Sequence, residues 1–258
     1  MINKIEIKKR DGSVIFEYET KNNTIKKTVK AYIKKERVSG VERVNLNNVN
    51  LEGADLTDID LNKADLSNAY LKNAKLTNAN LINADLSNVD LTFANLNGAD
   101  LSCADLTKAN LEGADLINAD LSFADLNRAN LFSANLSNTD LLCADLTKAN
   151  LICAELSHAD LSNANLSNAD LQEIDLRNAN LTKANLSYTD LRYADLSNAN
   201  LSNANLLCAE LIEANLTEAN LTFANLSFAK LSNADLSNAN LSNADLRYTK
   251  LPSMEDSA

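Results

Sequence analysis

The sequence predicts an all-β solenoid, a chain wound into stacked coils. Leucine occupies every fifth position from Leu46 to Leu251, 42 times without a gap. The residue two places before most of these leucines is alanine, so the repeating unit reads A-(D/N)-L-x-x. The composition agrees with a thin core, because it is 45% hydrophobic but only 5% aromatic, with five glycines and one proline. A repeat this strict determines the fold class.

The period of five excludes both regular alternatives. In an α-helix, at about 100° per residue, successive leucines would point in all directions and form no apolar stripe. On a flat strand the odd spacing would place successive leucines on opposite faces. A chain whose Ala and Leu point inward, while the other residues turn a corner, satisfies the pattern. Stacked coils would lie about 4.8 Å apart, with backbone groups bonded to the coils above and below.

The variable positions suggest how many units make one coil. Cys103, Phe123 and Cys143 are each separated by four pentapeptides, and the stretch CADLTKANL at 103–111 recurs at 143–151. Four pentapeptides per coil would produce this lag. A past duplication would produce it as well.

Units such as ADLSNANLSNADL resemble the pentapeptide-repeat family over about four fifths of the chain. The resemblance implies a right-handed, four-sided (quadrilateral) parallel β-helix, with Leu and Ala inside and the other three positions outside. On that basis the 42 units would make 10.5 coils. They would form a rod of roughly 50 Å at strand spacing.

The chain divides into three predicted regions. Residues 1–40 form a small N-terminal β-hairpin and α-helix cap, residues 41–251 the pentapeptide-repeat β-helix, and residues 252–258 a short polar tail. A cap is expected because a solenoid exposes its apolar core at its ends.

The predicted cap is read from local patterns. Residues 4–8 alternate between charged and apolar types, and Arg-Asp-Gly-Ser at 10–13 has the turn chemistry of a hairpin. Asn23 or Thr24 is suited to cap a following amphipathic helix. Its apolar face is Ile25, Val29, Tyr32 and Ile33, and its basic face is Lys26, Lys27, Lys30, Lys34 and Lys35. The alternative to a solvated helix face is that these lysines bind nucleic acid or another anionic surface.

Charge is unevenly distributed along the chain. Residues 1–40 hold 11 Lys and Arg against 5 Asp and Glu, a net charge of +6, and the remainder holds 13 against 30, a net of −17. With four pentapeptides per coil, two acidic columns are predicted on neighbouring faces. They are Asp65, Asp85, Asp105, Asp125 and Asp145, and Asp100, Asp120, Asp140 and Asp160. Beyond residue 160 the same columns turn into asparagines, at Asn165, Asn185, Asn205 and Asn225 and at Asn180, Asn200, Asn220 and Asn240.

The acidic columns are candidates for binding a protein partner. Carboxylates about 5 Å apart repel by roughly 0.8 kcal/mol even at the dielectric constant of water, whereas asparagines do not. The columns would suit a basic surface, such as a DNA-binding protein that accepts the rod in place of DNA. The family resemblance implies the same possibility, since some members mimic DNA and protect DNA gyrase. This chain departs from those members, because it lacks their central Phe, projecting loops and C-terminal dimerising helix. The alternative is that the repeat simply prefers Asp and Asn at this position.

A second candidate surface lies near the C-terminal end. Tyr188, Cys208, Phe228 and Tyr248 are predicted to share one column, with Phe223 on the adjoining face. Apolar groups gathered beside the end of a solenoid suggest a contact surface, and a homodimer through the C-terminal coils is the corresponding hypothesis. The alternative is that single exposed aromatic residues are ordinary on protein surfaces.

No catalytic residue, cofactor or metal site is predicted. The chain has no phosphate-binding glycine loop and no nucleophile elbow, and His158 is its single histidine. The four cysteines are expected to be free thiols in a reducing compartment, the cytoplasm. No apolar run reaches membrane-spanning length and no signal peptide is recognised, so the chain is not expected to bind a membrane. Direct binding of nucleic acid is not expected either. The predicted function is a non-enzymatic structural or protein-interaction rod with an unknown partner. The alternative is a DNA-mimicking modulator of a type II topoisomerase.

Overall fold

The computed structural model describes residues 2–251, and it begins with a β-hairpin. Strand β1 (Ile2–Lys9) pairs antiparallel with β2 (Val14–Lys21). Between them the Asp11 carboxylate accepts a hydrogen bond from the Ser13 N–H at 2.9 Å. Gly12 has a φ of +85°, a conformation that glycine adopts without steric cost. The predicted tail, residues 252–258, lies outside the described residues.

Helix α1 (Ile25–Val38) follows the hairpin and packs one face inward. Thr24 is its N-cap and accepts a hydrogen bond from the Lys27 N–H at 3.2 Å. Val29 and Ile33 are buried and belong to the same apolar core as the first repeat leucines. The core therefore runs without interruption from the helix into the repeats.

The hairpin and helix are also joined to the repeats by polar contacts. Strand β3 (Val49–Asn50) pairs antiparallel with β1, which completes a three-stranded sheet of order β2-β1-β3. The Tyr32 hydroxyl donates to the backbone carbonyl of Asn45 at 3.1 Å. Arg37 forms an ion pair of 2.5 Å with Asp60. Residues 2–38, named here the hairpin–helix segment, are thus bonded to the first coils through backbone and side chains.

The repeats stack as parallel coils of four pentapeptides each. From Asn45 onward, the residue that precedes each repeat leucine forms a parallel bridge with its counterpart four pentapeptides later, ending with the pair Lys230 and Lys250. Residues at equivalent positions of successive coils therefore lie directly above one another.

Leucine and alanine fill the axis of the coils. The repeat leucines from Leu46 to Leu231 are buried, and each contributes about 1.5–3 kcal/mol by leaving water. Thr139 stands in an alanine position, and its hydroxyl donates to the Leu136 carbonyl at 2.6 Å. At the C-terminal end burial declines, and Leu251 is 52% exposed.

Candidate functional site

Up to the last coil, the pentapeptides that begin with Asp or Asn use their backbone donors in a common way, which explains why these two residues recur. In the unit that begins at Asp120, the N–H groups of Leu121 and Phe123 donate to the next coil at 2.7 and 2.8 Å, and that of Asp120 to the previous coil at 3.0 Å. Ala124 donates to Leu121 and closes a turn. The remaining N–H, that of Ser122, is accepted by the Asp120 side chain at 2.8 Å. Asp or Asn before the leucine thus satisfies the one donor that coil stacking leaves over.

The second residue after each leucine points into solvent from a left-handed backbone. Along the repeats its φ lies between +52° and +64°, as the third residue of a type II turn requires. Asparagine and glycine are frequent there, but so are lysine, cysteine and aromatic residues. Large apolar side chains at this position are therefore displayed rather than buried. They are Phe93, Phe123, Tyr188, Tyr193, Phe223, Phe228 and Tyr248.

The structure stacks the aspartates of each acidic column directly above one another. Successive parallel bridges join Asp65 through Asp145 in one column and Asp100 through Asp160 in the other. All nine accept a hydrogen bond from the backbone N–H two residues later, at 2.8–3.1 Å. Each carboxylate therefore has a structural role in its own turn, whatever else it binds.

The second oxygen of these carboxylates is the part available to a partner. Asp85 Oδ2 accepts from Arg43 at 2.5 Å, and Asp65 Oδ2 lies 3.5 Å from the Asn47 amide. Within residues 2–251, Oδ2 of the other seven accepts no hydrogen bond. These seven aspartates are all partly or fully exposed, so this oxygen remains available to a partner.

Asparagines continue both columns, and unlike the aspartates they form side-chain hydrogen bonds between successive coils. The amide of Asn185 donates to Asn165 at 3.0 Å, and those of Asn205 and Asn225 each donate to the preceding asparagine at 3.1 Å. A carboxylate has no donor with which to build such a ladder. The change after residue 160 therefore replaces an outward-facing charged column with a neutral, internally bonded one.

The C-terminal contact patch consists of Tyr188, Cys208, Phe223, Phe228 and Tyr248. The rings of Phe228 and Tyr248 stack with centroids 4.8 Å apart and planes inclined by 18°. Tyr188 and Cys208 continue the same column, and Phe223 lies in the neighbouring one. Tyr248 is 77% exposed and Phe223 is 61% exposed, while Cys208 is partly buried. Asparagines flank the aromatic column on one side, and on the other lies the charged column Asp190, Glu210, Lys230 and Lys250, in which Lys230 pairs with Glu210 at 2.5 Å.

A further exposed group was recognised in the sequence by its lag of four pentapeptides, but it was not predicted to be a site. Cys103, Phe123 and Cys143 form an exposed column between the two acidic columns. Elsewhere, the ring of Phe93 lies over Gly113, where an added Cβ would come within 2.4 Å of the ring. The lag of four pentapeptides was visible in the sequence, but the left-handed geometry that exposes these side chains was not. All four cysteines are free thiols.

Three arginines neutralise aspartates outside the acidic columns. Arg177, Arg192 and Arg247 each reach back two residues to an aspartate, at 2.6–2.7 Å. The hydrogen bond from Arg177 holds the pKa of Asp175 below its usual value, and that from Arg247 does the same to the pKa of Asp245. These pairs moderate the negative charge of the later coils.

The described residues hold neither a cluster of metal ligands nor a membrane-spanning helix. Within residues 2–251, no three His, Cys, Asp or Glu side chains lie where they could share a metal ion. Helix α1, the one described helix, lacks the length and apolar content needed to cross a membrane.

The fold and the repeat define a solenoid protein. Its coils surround a core of Leu and Ala, and parallel β-bridges join each coil to the next. The family model "Pentapeptide repeats" matches residues 42–78, 64–102, 94–131, 129–168, 159–192, 194–227 and 219–252. The chain belongs to the pentapeptide-repeat family, as the sequence predicted.

Solved structures support this assignment. HetL, a pentapeptide-repeat protein involved in heterocyst differentiation regulation from the cyanobacterium Nostoc sp. strain PCC 7120, is 37% identical. The match covers 86% of this chain and 96% of HetL, with a TM-score of 0.71. The chain accordingly has the right-handed β-helix of this family.

Two other solved structures are more distant. QnrB1, a plasmid-mediated fluoroquinolone resistance protein, is 17% identical over 78% of this chain and 94% of its own, with a TM-score of 0.36. A pentapeptide-repeat protein of the Arabidopsis thaliana thylakoid lumen is 30% identical over 43% of this chain and 71% of its own, with a TM-score of 0.24. No curated protein sequence matches the chain significantly.

Proposed function

We propose that the chain is a non-enzymatic rod that works as a structural or protein–protein interaction module. The observation that carries the proposal is the C-terminal contact patch, because its four aromatic side chains are all more than half exposed. Aromatic residues on a rigid backbone are the usual anchors of protein interfaces. The regulatory role given to HetL, which is 37% identical, also favours action through partners.

The proposal also covers the cross-section of the coils, the domain boundaries and the cellular compartment. We assign one pentapeptide to each side of a quadrilateral coil, with residues 1–40 as the cap and 41–251 as the repeats. The bridges between residues four pentapeptides apart and the core shared by Val29, Ile33 and Leu46 support this arrangement. Four free thiols favour a reducing compartment, and we place the protein in the cytoplasm.

One form of the proposed interaction is a homodimer through the C-terminal coils. Leu236, Leu241 and Leu246 are only partly buried, so stacking a second copy there would remove more apolar surface from water. Sedimentation velocity over a range of concentrations tests it. We expect the wild type to dimerise and the variant Phe228→Ser/Tyr248→Ser to be monomeric.

The control replaces exposed aromatic residues elsewhere, in Phe93→Ser/Phe132→Ser, which should dimerise normally. A wild type that stays monomeric at all concentrations removes the homodimer. The wider proposal is tested by affinity capture with the same three proteins. It fails if the patch variant retains every binding partner that the wild type captures.

The alternative function is a DNA-mimicking modulator of a type II topoisomerase. It is favoured by one observation, the seven column aspartates whose Oδ2 atoms accept no hydrogen bond from any residue between 2 and 251. A supercoiling assay with DNA gyrase tests it, using the wild type and a variant with both acidic columns changed to Asn. The alternative requires an effect of the wild type that weakens with salt and disappears in the variant. Equal behaviour of the two proteins contradicts it.

A further inference from the structure

The hairpin–helix segment carries two grooves that share one exposed ridge of helix α1. The larger, of about 680 Å³, lies between α1 and β2, with Tyr18 and Ala31 in its wall. The second, of about 480 Å³, lies between α1 and the first coils and is bordered by Ile33. Lys30, Lys34 and Val38 line both grooves. The three residues therefore form a continuous ridge with a concave surface on each side.

The two lysines of this ridge are free, whereas nearby cations are engaged. Arg37 binds Asp60, and Lys27 donates to the Asn22 carbonyl at 2.7 Å. Within residues 2–251, Lys30 and Lys34 form no hydrogen bond or ion pair, and both are exposed. Four residues apart on a helix, they project from the same side. They provide two adjacent positive charges with no internal partner.

The ridge is apolar as well as basic. Val38 is 80% exposed at the end of α1, next to Lys34. The walls of the two grooves include the apolar side chains of Tyr18, Ala31 and Ile33, and the second groove also contains Asp58 and Asp60, of which Asp60 is paired with Arg37. A phosphate backbone would neutralise the lysines but leave Val38 and these walls in contact with water. Isolated surface charge pairs contribute little to binding by themselves. The ligand that matches the ridge has carboxylates and apolar side chains on one surface.

We propose that this ridge binds an acidic amphipathic segment of a partner protein. Glu or Asp side chains of the segment pair with Lys30 and Lys34, and its apolar side chains cover Val38 and enter the flanking grooves. The net charge of +6 on residues 1–40, against −17 on the rest of the chain, attracts an acidic segment to this end. The site lies in the hairpin–helix segment and does not depend on the C-terminal contact patch.

The probe is a synthetic helical peptide with glutamates and leucines on one face, labelled for fluorescence anisotropy. We expect the full chain to bind it, and Lys30→Glu/Lys34→Glu to weaken binding by about tenfold or more, since like charges would then face each other. Val38→Ser should weaken it by a few fold. A matched control, Lys148→Glu/Lys183→Glu, makes the same charge change on the rod and should bind normally. Circular dichroism checks that all variants fold.

Three results would overturn the proposal. The first is no binding to the wild type. The second is equal binding of a scrambled peptide of the same composition, because the apolar pattern would then be irrelevant. The third is tighter binding of a DNA duplex that is lost in the same lysine variant. Phe228→Ser/Tyr248→Ser should bind the peptide normally, so the failure of this proposal is distinguishable from that of the rod's proposed function.

Discussion

The left-handed residue of each pentapeptide restricts which side chains it accepts. Valine, isoleucine and threonine occur at the alanine position, as in Val89 and Thr139, and isoleucine and threonine also occur at the first position after leucine, as in Ile82 and Thr92. None of them occurs at the second position after leucine. A branched Cβ is strained at positive φ, which explains the exclusion.

This restriction predicts that a substitution to valine destabilises the protein at one residue and is tolerated at the residue before it. Asn203→Val should lower the free energy of unfolding by about 1–2 kcal/mol, because Asn203 has a φ of +60°. Ser202→Val should be tolerated, since threonines occupy the equivalent position in the coils above and below. Guanidinium unfolding of both variants gives the comparison, with Asn203→Gly as a conformationally permitted control. Equal destabilisation by the two valines would contradict the explanation.

The side-chain acceptor before each leucine gives a second prediction at this scale. Asp120→Ala and Asp120→Asn both remove the repulsion from Asp100 and Asp140, but only Asp120→Ala leaves the Ser122 N–H without its 2.8 Å acceptor. Asp120→Ala should therefore be about 1 kcal/mol less stable than Asp120→Asn, which keeps an oxygen in the same place. Urea unfolding midpoints measure both variants. If alanine and asparagine behave alike, the hydrogen bond contributes nothing to the turn.

At the scale of elements, the ion pair between α1 and the first coils should make their contact depend on pH. The hydrogen bond from Arg37 lowers the pKa of Asp60 from its usual 3.8. A lowered folded pKa means that the stabilisation is complete above the usual value and is lost as the pH falls through the folded value. Hydrogen-exchange protection of the α1 amides should therefore fall in acid.

The matched control for this pH effect is Asp60→Asn. It keeps the size of the side chain but cannot titrate, so its α1 protection should start lower and change less across the same pH range. Wild-type protection factors that do not change with acidification would show that Arg37 and Asp60 do not hold the helix. An equal fall in the variant would assign the effect to other carboxylates.

The elements differ in how far they could be predicted from sequence. The hairpin is encoded by alternation around Asp11 and Gly12, and α1 by Thr24 and its apolar face, because these signals are local. Strand β3 was not predicted, since Val49–Asn50 is short and follows the same pattern as the repeats around it. The grooves beside α1 were missed for a related reason. They depend on how α1 packs against β2 and the first coils, which a periodicity does not encode.

The columns show the same division between local and long-range information. A lag of four pentapeptides was enough to place the nine aspartates above one another. The use of their Oδ1 atoms by backbone N–H groups was not predicted, because it depends on which donors remain after the coils have stacked. That bond also changes the interpretation of the columns. Both Asp and Asn accept the hydrogen bond from the backbone N–H two residues later. The turn therefore explains why one of these two residues is present, but it does not explain why a column has Asp rather than Asn.

At the scale of the whole molecule, stability is the sum of similar coils and their interfaces. Each layer of Leu and Ala raises the free energy of unfolding by burying apolar surface. Each pair of stacked carboxylates lowers it by electrostatic repulsion. The repulsion is roughly 0.8 kcal/mol per neighbouring pair at the dielectric constant of water, and it is screened by salt. An asparagine column keeps the turn and adds a ladder of amide hydrogen bonds. The acidic columns should therefore make the first half of the rod less stable than it would be with asparagine in the same positions.

This balance can be measured with two triple variants of equal charge. Asp100→Asn/Asp120→Asn/Asp140→Asn removes three neighbouring carboxylate pairs, and it should raise stability more at low salt than at high salt. Asp90→Asn/Asp115→Asn/Asp235→Asn changes aspartates whose described neighbours in the column are not acidic, so it should show a smaller and less salt-dependent gain. Guanidinium chloride would screen the charges, so urea unfolding at several salt concentrations is the measurement. If both triples behave alike, the stacked charges have no measurable effect on the rod, and repeat preference explains them. If the first triple is distinctly more stable, the chain keeps aspartates where asparagines would serve the fold better, and binding to a basic partner becomes the better explanation of the acidic columns.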